Sequence, residues 1–192
     1  MKATAVPLRR WTRVEYERLV DQGFFGPDER LELLDGALIV KEPQNSPHFT
    51  AVSLVHDALR AALGPGWFVR MQGPVALDER SEPEPDISVV PGAARDYRAA
   101  HPARPVLVVE VSESRLRFDR SEKAAIYARA GIADYWIVNL VDRVLEIHRE
   151  PARPTARHGA WGYRSIHRFG PDSVVSPLAA PAARVTVADL LP

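Results

Sequence analysis

The distribution of apolar and polar residues predicts a chain in which helices and strands alternate. Residues 106–111 have the sequence Val-Leu-Val-Val-Glu-Val, a β-branched run that is typical of a central strand buried on both faces. Residues 135–139 predict a second central strand, and the stretch between the two predicts a helix that ends at Ala130, before Gly131. A strand–helix–strand unit of this kind places two parallel strands in one sheet. The pattern therefore predicts an α/β fold with a mixed β-sheet flanked by helices.

The first third of the chain contains two further signals. Thr12 and Glu15 have the spacing of a capping box and predict a helix over residues 13–22. Asp35-Gly36 separates two short apolar runs and predicts a two-residue β-hairpin turn, since both positions accept positive φ.

Other elements follow from capping residues and from β-branched or aromatic runs. Ser46-Pro47 predicts the N-cap and first residue of a long helix that stops at Gly64. Asp119 to Glu122 forms a second cap-like pattern, which predicts the start of the crossover helix. The remaining predicted elements are strands over 67–72, 75–77, 86–90, 144–148 and 163–169 and a short helix near 187–191.

Composition limits the class of protein. A chain of 192 residues is long enough for one domain with a core and short for two, so a single domain over residues 1–192 is expected. The chain has no Cys, which excludes disulfides, thiolate metal sites and a Cys nucleophile. Since neither an apolar leader nor a membrane-length apolar stretch is evident, a cytoplasmic protein is the default expectation.

Charge and the choice of basic residues add three observations. The formal net charge is zero, which counts mildly against a strong general nucleic-acid binder. Residues 143–168 contain six Arg and two Glu, which fits either a solvated hairpin region or an edge that faces phosphates. Lysine occurs only at Lys2, Lys41 and Lys123, whereas the other basic residues are Arg. A Lys in the middle of an Arg-rich chain hints at a role that a compact ammonium fills better than a guanidinium.

Two carboxylates give the first indication of chemistry. Glu110 lies within a buried apolar run, where a charge is costly unless a metal ion, a basic partner or an exposed strand end relieves it. Asp86 begins another short apolar strand after the stiff lead-in Glu82-Pro83-Glu84-Pro85. If the two strand ends are neighbours, the carboxylates form an oxygen-rich site suited to Mg²⁺ or Mn²⁺.

Lys123 and Glu32 are further candidates with open alternatives. Lys123 lies near the start of the predicted crossover helix, close to the end of the Glu110 strand, where its ammonium could stabilise charge on a phosphate oxygen. The alternative, which is the usual one for a lysine on a helix, is a surface side chain paired with Asp119 or Glu122. Glu32 could be a third acid of the site or simply part of the polar face of the hairpin.

These residues resemble a known family. Pro85-Asp86 followed by Glu110-Val111-Ser112 resembles the PD-(D/E)XK nuclease superfamily, and the chain is more closely similar to the Uma-type restriction endonuclease family over roughly residues 10–190. The most specific matching stretch runs from Asp119 to Asn139; shorter ones are Glu32–Gly36, Ser46–His48, Pro83–Asp86 and Val108–Ser112. The superfamily usually has Lys at the position of Ser112, and in the similar family that role is thought to move to the following helix, which matches Lys123.

The resemblance implies a restriction-endonuclease-like fold and hydrolysis of phosphodiester bonds in DNA. Asp86, Glu110 and the carbonyl of Val111 would hold Mg²⁺ or Mn²⁺, Lys123 would position the attacking water, and Glu32 would complete the site. His48 and Gln72 are weaker candidates. The expected partner is nucleic acid, with a homodimer for double-strand cleavage. The alternative is a catalytically inactive nuclease-like domain that binds nucleic acid or protein.

Overall fold

A six-stranded mixed sheet is the centre of the fold in the computed structural model, which describes residues 8–154 and 160–192. Its strand order is β3-β4-β5-β6-β7-β8. Only β5 and β6 pair in parallel, as the predicted crossover requires, and the other neighbours pair antiparallel. The sheet strands are β3 (Trp67–Met71), β4 (Ile87–Pro91), β5 (Leu107–Ser112), β6 (Asp134–Asn139), β7 (Val144–Ala152) and β8 (Gly162–Phe169).

Helices cover both faces of this sheet. The helices are α1 (Arg13–Asp21), α2 (Ser46–Leu63), α3 (Leu116–Phe118) and α4 (Ala124–Arg129), with a π-helical turn over Asp119–Lys123 that joins the last two. Helix α2 packs on one face with the alternate β5 residues Val109 and Val111. Helix α4 packs on the other face with Val108 and Tyr135. Because side chains alternate along a strand, Glu110 lies on the α4 face, the face that carries Lys123.

Small elements surround the sheet. A separate hairpin consists of β1 (Leu31–Leu34) and β2 (Ala37–Val40), and a second pair consists of β9 (Val174–Val175) and β10 (Val185–Thr186). Short 3₁₀ turns occur at Ala94–Tyr97 and Val187–Leu190. The Asp35-Gly36 turn has φ values of 49° and 77°, as the hairpin prediction requires. No helix among the described residues is long and apolar enough to cross a membrane.

The N-terminus of α2 differs from the sequence prediction by one residue. Asn45, rather than Ser46, is the N-cap, because its side-chain oxygen accepts a hydrogen bond from the His48 N–H at 3.0 Å. The capping box of α1 at Thr12 and Glu15 is confirmed.

Two other expectations were wrong. Residues 75–77 form no strand. The N–H groups of Val75 and Leu77 donate to the carbonyls of Pro83 and Ser81, whereas that of Ala76 donates to Pro102 on another segment, and no continuous ladder develops. Asp119 does not cap the crossover helix. That helix has already begun at Leu116, so the Asp119 N–H donates to the Arg115 carbonyl at 3.0 Å. The Asp119 carboxylate is thereby left to bind elsewhere.

Part of the predicted Arg-rich segment lies outside the described residues, since 155–159 include Arg157. Of the described arginines in that segment, Arg149 is an ion-pair partner of the fully buried Asp134 at 2.8 Å. Arg168 approaches the buried Glu146 at 3.6 Å. These two side chains therefore have structural partners within the sheet.

Candidate active site

The four residues singled out from the sequence meet in one cleft. Glu32 comes from β1, Asp86 immediately precedes β4, Glu110 lies in β5 and Lys123 ends the π-helical turn. All four line a cavity of about 110 Å³, and all are buried, with 2% to 6% of their surface exposed. The antiparallel pairing of β4 with β5 explains the juxtaposition, because the beginning of β4 lies beside the end of β5.

Lys123 lies between two carboxylates. Its Nζ donates to Glu110 Oε1 at 2.9 Å and approaches Glu32 Oε2 at 3.4 Å. Glu32 is itself fixed, since the same Oε2 accepts the Glu84 N–H at 3.1 Å. The surface-lysine alternative for Lys123 is therefore wrong, as is the solvent-facing alternative for Glu32.

Asp86 is held at both oxygens. Its Oδ2 accepts the Val111 N–H at 2.8 Å, and its Oδ1 lies 3.3 Å from His48 Nε2. This second contact brings His48, at the start of α2, into the site. The N–H and C=O of one residue in a strand point to the same side, so the Val111 carbonyl faces the edge on which Asp86 lies.

Three further residues belong to the site although the sequence did not assign them to it. Tyr127 donates its hydroxyl to Glu110 Oε1 at 2.6 Å. Ser112 donates to Asp119 Oδ2 at 2.6 Å, so the position at which the superfamily usually has Lys carries a buried hydroxyl bound to an acid. The spacing of Asp119, Lys123 and Tyr127 along one helix could have indicated this grouping. Gln72, by contrast, lies outside the lining of the cleft; its N–H donates to the Asp86 carbonyl at 2.9 Å.

Burial and crowding of acids shape the electrostatics. Burial, together with the charges of Asp86, Asp119 and Glu32, raises the pKa of Glu110 to about 8 despite the opposing effect of Lys123. Burial also raises the pKa of Asp119. For Lys123, burial opposes charge, but Glu110, Glu32 and Asp119 outweigh it and raise its pKa, so the ammonium stays charged.

Asp86 and His48 support each other's charged forms. Burial would raise the pKa of Asp86, but the contact with His48 and the Val111 N–H lower it overall. Burial would lower the pKa of His48, but the hydrogen bond to Asp86 and its negative charge raise it overall. This arrangement keeps Asp86 ionised at neutral pH.

The donor atoms suit a hard divalent cation. Among the lining residues seven are acidic and only Lys41, Arg115 and Lys123 are strongly basic, so a cation would offset the excess negative charge. Within residues 8–154 and 160–192, Glu110 Oε2 accepts from no protein donor, which leaves it available as a ligand. Asp86, Glu110 and the Val111 carbonyl together supply the oxygen ligands that Mg²⁺ and Mn²⁺ accept.

A preformed cage for such an ion is absent from the part of the chain that the structure describes, where no three His, Asp or Glu side chains converge as ligands. The reason is local. Lys123 separates Glu32 from Glu110, and His48 and Val111 occupy the two oxygens of Asp86. Two protein carboxylates with water in the remaining positions are nonetheless common for Mg²⁺, which rarely has an all-protein cage.

Comparison with known proteins identifies a family and a common fold. Residues 13–187 match the model of the Uma2 family, described as "Putative restriction endonuclease". A crystal structure described as "a putative nuclease belonging to DUF820 from Anabaena variabilis" superposes with a TM-score of 0.70 and 15% identity, covering 96% of this chain and 97% of that one. At this identity the superposition shows a common fold. No curated protein sequence matches.

Proposed function

Because the chain belongs to the Uma2 family of restriction-endonuclease-like proteins, which gives it a nuclease-like role, we propose that it is a metal-dependent endonuclease that hydrolyses phosphodiester bonds in DNA. The observation that carries the proposal is the placement of Lys123. Its charged ammonium lies 2.9 Å from Glu110, in the same cleft as Asp86, although the strand position usual for this Lys is Ser112.

In the proposed mechanism, Asp86, Glu110 and the carbonyl of Val111 would hold Mg²⁺ or Mn²⁺. The ion, when bound, lowers the pKa of a coordinated water and neutralises charge that develops on the phosphate. Lys123 orients the attacking water or stabilises the charged phosphate oxygen through its ammonium. Glu32 keeps that ammonium in place and charged, and it completes the polar wall of the cleft.

His48 acts on Asp86 rather than on the substrate. Its ring nitrogen lies 3.3 Å from Asp86 Oδ1, and the Val111 N–H binds the other oxygen, so the carboxylate has a fixed orientation. Fixed ligands bind an ion in one geometry with little reorganisation. His48 is therefore a positioning residue in this proposal.

The test is cleavage of supercoiled plasmid and of short single- and double-stranded DNA in Mg²⁺ or Mn²⁺. Wild type should cut only with the metal, and Glu110→Gln and Lys123→Met should each abolish cutting. Lys41→Met is the matched control, because Lys41 lines the same cleft but pairs with Glu84 at 3.1 Å, away from Glu110. It should keep most of the activity. Chromatography with light scattering tests the homodimer that double-strand cleavage would use.

The inactive alternative has its own signature. A nuclease-like binding domain would bind DNA or a protein without cutting, and calorimetry would show no Mn²⁺ binding that Asp86→Asn removes. Cutting that survives both Glu110→Gln and Lys123→Met would contradict the proposed site. Cutting of RNA alone would change the proposed substrate but would not contradict the proposed site residues.

A further inference from the structure

Arg115 is the exposed cation at the mouth of the cleft. It lies at the end of the loop that follows β5, and 34% of its side chain is exposed. The other two strongly basic lining residues are less accessible. Lys123 is 8% exposed and lies against Glu110 and Glu32, and Lys41 is 13% exposed and pairs with Glu84. Arg115 is thus the lining cation best placed to meet an anion from solution.

The guanidinium of Arg115 is only partly engaged. Its Nη2 donates to the Val40 carbonyl at 3.1 Å and lies 3.1 Å from Glu42 Oε1. Within residues 8–154 and 160–192, no acceptor binds its Nη1 or Nε. A guanidinium presents five N–H donors in a planar fork, so most of this donor set is free for another anion.

Glu42 is a replaceable partner. Its side chain is 55% exposed, and exposed ion pairs contribute little to stability. A hydrogen bond from Ser114 at 3.0 Å, followed by the contact with Arg115, lowers the pKa of Glu42, so the carboxylate is charged at neutral pH. A second hydrogen bond spans the mouth of the cleft nearby, donated by Asn45 Nδ2 to Glu113 Oε2 at 2.7 Å.

We propose that Arg115 binds a backbone phosphate of the nucleic acid beside the scissile bond, and that Glu42 occupies its guanidinium until that phosphate displaces it. This inference rests on the proposed function. The chemistry favours it because a planar guanidinium matches phosphate oxygens in a bidentate arrangement. The acidic lining of the cleft also repels DNA, so a rim cation is needed where the backbone enters.

The experiment measures binding of a fluorescently labelled short DNA duplex by anisotropy across a range of NaCl concentrations. Ca²⁺ replaces Mg²⁺, since it takes the same oxygen ligands. Arg115→Ala should raise the Kd about tenfold, and it should reduce the slope of log K against log salt by about 0.9, the value for one lost phosphate contact. Arg115→Lys keeps the charge but loses the planar fork of N–H donors, so its Kd should lie between those of the wild type and Arg115→Ala. Arg117→Ala, an exposed arginine two residues away that does not line the cleft, is the matched control.

A double-mutant cycle tests the role of Glu42. Glu42→Gln alone should lower the Kd about two- to fivefold, because the guanidinium is released. In the Arg115→Ala background, Glu42→Gln should lower the Kd by a clearly smaller factor, since there is no guanidinium for Glu42 to occupy. An equal decrease in Kd in both backgrounds would mean a general effect of charge, and it would overturn the proposal that Glu42 occupies the guanidinium.

The outcomes separate this inference from the proposed function. Metal-dependent cutting by the wild type, combined with an unchanged Kd and salt slope for Arg115→Ala, would overturn the role of Arg115 alone. A loss of DNA affinity in Arg117→Ala equal to that in Arg115→Ala would also overturn the role of Arg115. A wild type that neither binds nor cuts any nucleic acid would overturn both, because the phosphate belongs to that substrate. Thermal unfolding of each variant shows whether it is folded.

Discussion

Glu82 connects the α1 region to the hairpin that carries Glu32, and its ionisation should weaken the fold. Its backbone pairs with Leu33 through two hydrogen bonds, of 2.8 and 3.3 Å, while the residue as a whole is only 4% exposed and its carboxyl group faces Glu17. Burial and the neighbouring Glu17 carboxylate, with a smaller effect of Glu84, raise the pKa of Glu82 to about 7 against the opposing charge of Arg13. The folded chain therefore keeps this proton to a higher pH than the unfolded chain.

The sign of the effect follows from proton linkage. Between the ordinary pKa of 4.5 and the folded value of about 7, the folded chain binds more protons, so the free energy of unfolding falls as the pH rises. At about 1.4 kcal/mol for each pKa unit, the limit is about 3 kcal/mol. Glu17 is 37% exposed, so water screens the repulsion, and about 1–2 kcal/mol is expected.

Glu82→Gln mimics the protonated carboxyl group and removes this dependence. Urea unfolding should give wild type and Glu82→Gln similar stability near pH 5, whereas near pH 8.5 the variant should be more stable by about 1–2 kcal/mol. Glu79→Gln, an exposed glutamate on the same loop, controls for the loss of one negative charge. A stability difference between Glu82→Gln and wild type that is the same at both pH values would refute the reasoning.

Three other substitutions test structural contacts near the site. Asn45→Ala removes the N-cap of α2 and should cost about 1 kcal/mol in thermal unfolding, most of which Asn45→Ser should restore; no loss would contradict the assigned cap. Gly36→Ala should destabilise the hairpin, because Gly36 has φ 77° and an added Cβ would lie 2.7 Å from the Cβ of Arg10; near-UV circular dichroism and unfolding should both change, and a neutral result would argue against this turn geometry. Ser112→Ala leaves the buried Asp119 without its hydroxyl donor and should cost about 1–3 kcal/mol in urea unfolding, whereas Ser112→Thr should cost less.

Local chemistry accounts for the elements that the sequence predicted well. The Asp35-Gly36 turn and the aliphatic run around Glu110 each depend on residues close together in the chain, and the structure has both where they were expected. The N-cap was off by one residue because Asn45 and Ser46 are both good caps, and only the position of the helix start decides between them.

Long-range contacts account for what the sequence did not predict. The pattern from Asp119 to Glu122 is the same whether a helix begins there or continues, so packing of the preceding turn decides its role. The approach of Lys123 to Glu32 joins residues far apart in the chain, and no periodicity could have shown it. Family resemblance supplied Glu32 as a candidate, whereas its catalytic role, like those of Asp86 and Glu110, stays a prediction.

The π-helical turn makes the site sensitive to the length of the chain as well as to its side chains. A π turn holds one residue more than an α turn, and each residue rotates a helix by about 100°. Deleting either Ser121 or Glu122, both exposed, would restore α winding and leave Asp119 three residues before Lys123, a spacing that keeps both side chains on one helix face. Deleting both would leave a spacing of two residues and turn Asp119 away from the face that carries Lys123. In a deletion library, the helix should therefore accept the loss of one of these two residues but not the loss of both. Part of the information for this site is a residue count, which a substitution scan would not detect.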